Sequence, residues 1–216
     1  MTTQTFKQRL VGQFRRPTGC AGTLAGWIMA LRPSNRLRNA WAVEQLDVQP
    51  DDRVLEVGFG PGLAQAQIAR KLGGGRYVGI DHSETMVLQA SRRNRAAIER
   101  GHVQLSLASV EDIAACMPGL AGPFTKILAI NVAMFWRKLD HSLRGLHSAL
   151  APGGRLAIAY QPRMAPATDE AARAEATRLE QAMRRAGFST VETHELDRTS
   201  PITVCVLGTK NKGHQQ

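Results

Sequence analysis

Residues 53–81 read RVLEVGFGPGLAQAQIARKLGGGRYVGID, two β-rich runs on either side of a helical one. Arg53–Val57 (RVLEV) and Arg76–Ile80 (RYVGI) have the aliphatic and aromatic composition of short strands. Between them Leu63–Leu72 places Ile68 and Leu72 on one face of a helix. Gly73-Gly74-Gly75 is expected to end that helix through a left-handed cap, which glycine tolerates. A strand, a helix and a second strand in so short a span form the repeating unit of a parallel sheet covered by helices.

The turn inside this unit, Glu56-Val57-Gly58-Phe59-Gly60-Pro61-Gly62, follows a strand and opens a helix. Its glycines can turn tightly, and N–H groups near the helix start can face the polar end of a ligand. Glycine-rich turns also serve purely as loops, so the setting carries the weight rather than the string. Asp81 ends the second strand, nineteen residues beyond Gly62. From there a carboxylate can accept both hydroxyl hydrogens of a ribose. A lone Asp after a strand is more often a cap or turn residue; together with the glycine turn it points to a nucleotide-type ligand.

Outward from this unit the alternation continues. Further strands are predicted at Val103–Leu107, Lys126–Ile130, Arg155–Ala159, Thr190–Glu195 and Thr203–Gly208, and helices at Ser83–Ala97, Leu139–Leu150 and Thr168–Ala186. Thr168 and Asp169 are plausible caps for the last helix, and Gly187 stops it. Leu196 to Ile202 is too short for a helical crossover, so the last two strands should pair antiparallel. The fold class expected is a doubly wound, Rossmann-like α/β sheet of seven strands with an antiparallel last strand, plus an N-terminal helical cap.

In that cap, Gly22–Leu31 (GTLAGWIMAL) is an apolar helical segment, Arg32-Pro33-Ser34-Asn35 breaks it, and Arg36–Leu46 resumes a helix with Leu37, Trp41 and Leu46 on one side. Two helices cannot bury themselves, so the cap is expected over the carboxyl ends of the strands. The organisation is therefore a cap or arm over 1–50, a ligand-binding domain over 51–210 and a tail over 211–216.

The chain has 216 residues, 43% of them hydrophobic, enough for one α/β domain with a proper core. No window approaches the ~18–20 apolar residues of a membrane-spanning helix. The start of the sequence lacks the apolar core and small-residue site of a secretory signal, and a cytoplasmic location is expected. Cys20, Cys116 and Cys205 lie far apart without metal-ligand spacing and read as structural thiols. The net charge is +10, with seven Lys or Arg and no acid in residues 1–43, leaving +3 for the remainder. Such an arm can attract anionic lipid, nucleic acid or an acidic substrate, or simply be a solvated face.

VLEVGFGPG, VGIDHSETM and SALAPGGRLAIA together resemble the class I S-adenosylmethionine-dependent methyltransferases, over roughly residues 50–208. The resemblance implies S-adenosyl-L-methionine as cofactor, with Gly58, Gly60 and Gly62 shaping the turn. It also implies that Glu56 orients the cofactor's amino end and that Asp81 binds the ribose. His82 and Met86 would lie near the adenine edge, each with a plain capping or core role as the alternative. Leu107–Asp112 matches the family's adenine-side loop, but Ser109 stands where many relatives have Asp. The adenine amine would then meet Ser109, the Val110 backbone or Glu111. Asn131, ending the fourth strand, would sit between cofactor and acceptor.

Asn131-Val132-Ala133-Met134 departs from the N-P-P-Y type tetrad of amine methyltransferases acting on nucleic-acid bases. It also offers no acidic ligand for magnesium, and no metal is expected. Methyl transfer mainly needs alignment, with a base only where the acceptor must lose a proton. No triad is evident, and the catalytic residues are left unassigned. Asn131, Trp136, His141 and Tyr160, with Gln161, are placed to line an acceptor pocket. Trp27 and Trp41 could close it or merely pack.

The leading reading is methylation of a small molecule, amphipathic or lipid-like in its narrower form, with peripheral contact to an anionic membrane surface. The alternative is an RNA methyltransferase or RNA-binding protein. A nicotinamide oxidoreductase is disfavoured by G-x-G-x-G in place of G-x-G-x-x-G. Acceptor and oligomeric state are not encoded in any motif.

Overall fold

The computed structural model describes residues 33–120, 122–163 and 167–213. The expected helix Gly22–Leu31, with Trp27, Cys20 and the basic residues Lys7, Arg9, Arg15, Arg16 and Arg32, lies outside the described residues, as do tail residues 214–216. In chain order the helices and strands are α1 (Pro33–Leu46), β1 (Arg53–Val57), α2 (Leu63–Lys71), β2 (Arg76–Asp81), α3 (Glu84–Arg93), α4 (Arg95–Glu99), β3 (Val103–Leu107), α5 (Ile113–Cys116), β4 (Phe124–Ile130), α6 (Leu139–Ala149), β5 (Leu150–Tyr160), α7 (Asp169–Arg185), β6 (Thr190–Leu196) and β7 (Thr203–Thr209).

The strands form one seven-stranded sheet in the order β3-β2-β1-β4-β5-β7-β6. Neighbours from β3 to β5 are parallel, and β7 runs antiparallel to both β5 and β6. The strand order reverses between β1 and β4, which opens a crevice at their carboxyl ends. Side chains alternate between two cores. Leu55, Val57, Ile127 and Ile158 pack with α5, α6 and α7 on one face. Val54, Tyr77, Leu128 and Ala157 pack with α1 and α2 on the other.

The described half of the expected cap is a layer of the domain rather than a lid. Ala42, Val43 and Leu46 of α1 are fully buried against Leu128, Ala157, Ala159 and Cys205. Burying a Val or Leu side chain contributes about 1.5–3 kcal/mol, enough to hold α1 on the sheet face. The helix also starts at Pro33, where a break was expected; proline lacks only an N–H that a first turn leaves unpaired. The buried stripe runs through Asn35, Arg38, Asn39, Ala42, Val43 and Leu46, whereas Leu37 is exposed. Reading bulky apolar residues alone misplaces this face, because its first half is polar.

Three other expectations change. Gly73–Gly75 end α2 without a left-handed cap: Leu72 is extended, and a Cβ on Gly75 would lie 2.3 Å from the Asp52 carbonyl oxygen. Glycine is needed there for close approach. The helix predicted over Ser83–Ala97 is split at Asn94, whose Nδ2 donates to Ala90 O and to Gln65 Oε1, both at 3.0 Å. Asn94 keeps its own N–H bond to Ala90 O at 2.9 Å and closes α3 as its C-cap, with φ −111° and ψ 20° outside the helical region. Strand β5 begins at Leu150 because the P-G-G turn is a bulge within it, between the Phe124–Leu150 and Lys126–Arg155 pairings.

Candidate functional site

From β1 the chain turns through Gly58 (φ 68°), Gly60 (φ 53°) and Gly62 (φ 77°), all in the left-handed region. Its underside is tightly packed. A Cβ on Gly58 would lie 2.6 Å from Val132 Cγ1, and one on Gly62 would lie 2.7 Å from Asn94 Nδ2. The buried Phe59 ring covers Gly79 of β2, where a Cβ would meet it at 2.6 Å. Gly60 differs: a Cβ there would meet nothing within 4 Å. The turn is clamped by its neighbours and left clear at its middle glycine.

Asp81 joins this turn to β2. Its Oδ2 accepts from the Gly60 N–H and its Oδ1 from the Ser83 N–H, each at 2.9 Å. The His82 backbone N–H also favours the carboxylate's charged form. Burial raises the Asp81 pKa, while the Ser83 and Gly60 N–H groups pull it back down. His82 is exposed, with Nδ1 3.8 Å from Asp81 Oδ1. Met86 is buried in α3.

Glu56 lies beneath the turn, 2% exposed, and accepts from the Tyr77 hydroxyl at 2.6 Å. Burial pushes its pKa up to about 8; the Tyr77 bond opposes this and the Asp81 charge adds to it. The pairing has a register origin. Glu56 stands opposite Gly79, and Tyr77 opposite Val54, so Tyr77 is the diagonal neighbour that reaches across a position with no side chain. Sequence reading found Glu56 but not Tyr77, nor Gln65 and Asn94, which brace Gly62; an Asn within a predicted helix was the available signal.

At the adenine-side loop Ser109 Oγ accepts from Glu111 N–H at 3.2 Å as an N-cap, and Val110 is buried. Glu111 Oε1 accepts from Arg137 N–H at 2.8 Å, and His141 Nε2 is 3.1 Å from Glu111 O. His141 thus meets this loop and lines a groove with Lys138, Asp140, Arg144, Arg178 and Arg185. Trp136 and Tyr160 are half-buried against the α5–α7 core, with Tyr160 in the field of Glu175 and Arg178.

Asn131 adopts φ 54°. Its Oδ1 accepts from Gln161 N–H at 2.8 Å and its Nδ2 donates to Gln161 O at 3.0 Å, so its amide ties the ends of β4 and β5 together. The Gln161 side chain continues the line: its Nε2 donates to Pro201 O at 2.8 Å, and its Oε1 accepts from Arg38 Nη1 at 2.8 Å. Arg38 is 6% exposed, and burial, then the charge of Arg163, lowers its pKa to about 9.

The family profile described as a methyltransferase domain matches residues 54–154. The uncharacterized methyltransferase YdaC of Bacillus subtilis is 30% identical over 187 residues, 87% of this chain and 98% of that one. The chain belongs to the class I methyltransferase family. In shape this methyltransferase is similar to the N-methyltransferase NodS of Bradyrhizobium japonicum, solved with S-adenosylhomocysteine, at TM-score 0.67 and 15% identity over 85% of this chain and 91% of NodS. It is also similar to magnesium protoporphyrin IX methyltransferase ChlM of Synechocystis, solved with bound S-adenosylmethionine, at TM-score 0.60 and 17% identity over 93% of this chain and 91% of that one. At these identities the likeness is one of fold.

The methyltransferase's own residues fit a nucleoside with a cationic amino-acid end. Gly60 offers an open surface, Asp81 holds a carboxylate against its N–H, and Glu56 brings a carboxyl beneath the turn.

Proposed function

We propose that the chain transfers a methyl group from S-adenosylmethionine to a small-molecule acceptor by in-line displacement. The observation that carries this is the Asp81 carboxylate held against Gly60 N–H at 2.9 Å, beside the open face of Gly60. When bound, the cofactor supplies an electrophilic methyl on a sulfonium. Asp81 would hold the ribose hydroxyls, the turn backbone would orient the amino-acid end above Glu56, and Ser109, Val110 and Glu111 would border the adenine. The Asn131–Gln161 clasp fixes the floor on which the acceptor lies, so that orientation lowers the barrier. No base among the described residues is required for an acceptor that already presents a lone pair.

In its narrower form the acceptor is amphipathic and met at an anionic surface. The support is the sequence of Gly22–Leu31 and the basic residues around it. Retention of the protein in the supernatant with phosphatidylglycerol vesicles at low salt would remove that form. The main reading is tested by calorimetric titration of wild type and Asp81→Ala with S-adenosylmethionine and S-adenosylhomocysteine. Micromolar binding lost in the variant supports it, and absence of binding to wild type sinks it.

A further inference from the structure

Among the described residues, Arg38 is a buried cation without a buried anion. Its Nη1 donates to Gln161 Oε1 at 2.8 Å and its Nη2 to Asn35 Oδ1 at 3.1 Å, both neutral amides. Its Nε has no acceptor among the described residues. No carboxylate lies within ion-pair distance of it among the described residues. A guanidinium taken out of water is costly unless it is paired and all its donors are used. Two amides satisfy part of the fork and leave the charge unbalanced. Arg163 also bonds Asn35 Oδ1, which adds positive charge to the same place.

The position is as informative as the charge. Gln161 is clasped to Asn131 at the end of β4, and Val132 packs against Gly58 of the turn. β5 is two places from β1 in the sheet, a separation on the order of ~10 Å at the usual strand spacing. Through Gln161, Arg38 is held at the carboxyl ends of β4 and β5, the same end of the parallel strands from which the glycine turn leaves β1.

We propose that Arg38, framed by Asn35 and Gln161, is the carboxylate-binding residue of the crevice. Its Nε–H and an Nη–H present the planar fork that matches a carboxylate's two oxygens. The carboxylate has two sources under the proposed function, the amino-acid end of the cofactor or the methyl acceptor itself, and only the naming of these sources rests on that function.

The test uses wild type, Arg38→Met and Arg38→Lys, titrated with S-adenosylhomocysteine, with 5′-methylthioadenosine, which lacks the amino-acid end, and with benzoate and its neutral isostere benzamide. Loss of about tenfold or more in S-adenosylhomocysteine affinity in Arg38→Met, with methylthioadenosine unchanged, supports the proposal with the cofactor as source. Unchanged S-adenosylhomocysteine affinity, with benzoate but not benzamide binding wild type and lost in Arg38→Met, supports it with the acceptor as source. Equal binding of every probe to wild type and Arg38→Met overturns it, as does failure of wild type to bind either carboxylate.

Wild type that binds benzoate but neither nucleoside would defeat the methyl-transfer reading alone. Melting temperatures, read with the titrations, separate a structural role. Arg38→Met also leaves Gln161 Oε1 without its donor, so a lower melting temperature alone does not count against the proposal; a purely structural Arg38 predicts lower melting in both variants with no ligand-specific change. Should Arg38→Met not fold, Arg38→Lys carries the same arms, since an ammonium keeps the charge but not the fork.

Discussion

Two carboxyl groups under one turn are held in different ways, and their titration should differ accordingly. Glu56 binds its proton more tightly folded than unfolded, with a pKa of about 8 against an ordinary value of 4.5. Its contribution to stability is fully present below the unfolded value, falls as pH rises, and is gone above the folded one. Glu56→Gln should abolish this slope, gaining on wild type by a few kcal/mol at most, from ~1.4 kcal/mol per unit, as pH climbs through that window. Urea melts at several pH values check it; parallel curves for the two proteins would contradict it. Binding of an ammonium-bearing cofactor over Glu56 should favour its ionised form and release a proton near pH 7. The calorimetric enthalpy of S-adenosylhomocysteine binding should then vary with the buffer's ionisation heat in wild type and not in Glu56→Gln. Asp81→Ala removes the acceptor of two backbone N–H groups as well as the ribose partner. It should lower affinity by about tenfold to a hundredfold and stability by ~1–3 kcal/mol, read from the same titration and a thermal melt.

Among the elements, the glycine turn and the break between α3 and α4 act as one unit. Gly62→Ala meets both a left-handed φ and the Asn94 amide. It should cost about 2 kcal/mol or more, and less in an Asn94→Ala background, where the Asn94 contact is removed and the 2.9 Å approach to Gln65 Oε1 remains. A double-mutant cycle measures this coupling, and strict additivity would argue against the contact. The strands were legible in the sequence because apolar runs bounded by glycine and polar turns sit at regular spacing, and Thr168 does cap α7 through Ala171 N–H. The antiparallel end followed from one short loop. Less legible were features set by tertiary contact: the split at Asn94, the bulge at Gly153 and Gly154, and the half-polar face of α1. Of the candidate residues, Gly58, Gly60, Gly62, Asp81 and Glu56 converge on one turn, because a strand end, a helix start and one carboxylate fix one another locally. His141, Trp136 and Tyr160 were placed by adjacency to strand ends; that Trp136 and Tyr160 pack partly against the α5–α7 core, and that His141 meets Glu111, is set by tertiary contact that sequence position does not record.

For the whole molecule, the sheet has two unlike halves: five parallel strands carrying the crevice, and a hairpin that finishes the edge. Cys205 marks the seam. It is fully buried in β7 between β5 and β6, and burial pushes its thiol up to about 12. A thiol reagent should reach it only when the domain opens globally, whereas half-buried Cys116 should react earlier. Labelling followed by mass spectrometry, with and without denaturant, decides this; rapid modification of Cys205 in native protein would show the hairpin opening independently.

The placement of β7 also bears on how the chain is made. β7 follows β6 in sequence but occupies the place between β6 and β5, so on the ribosome β5 waits with an unpaired edge until the last strand has emerged. Vectorial synthesis thus cannot complete the sheet piece by piece, and a nascent chain stalled before Thr203 would display a long apolar β5 edge to chaperones or to other stalled chains.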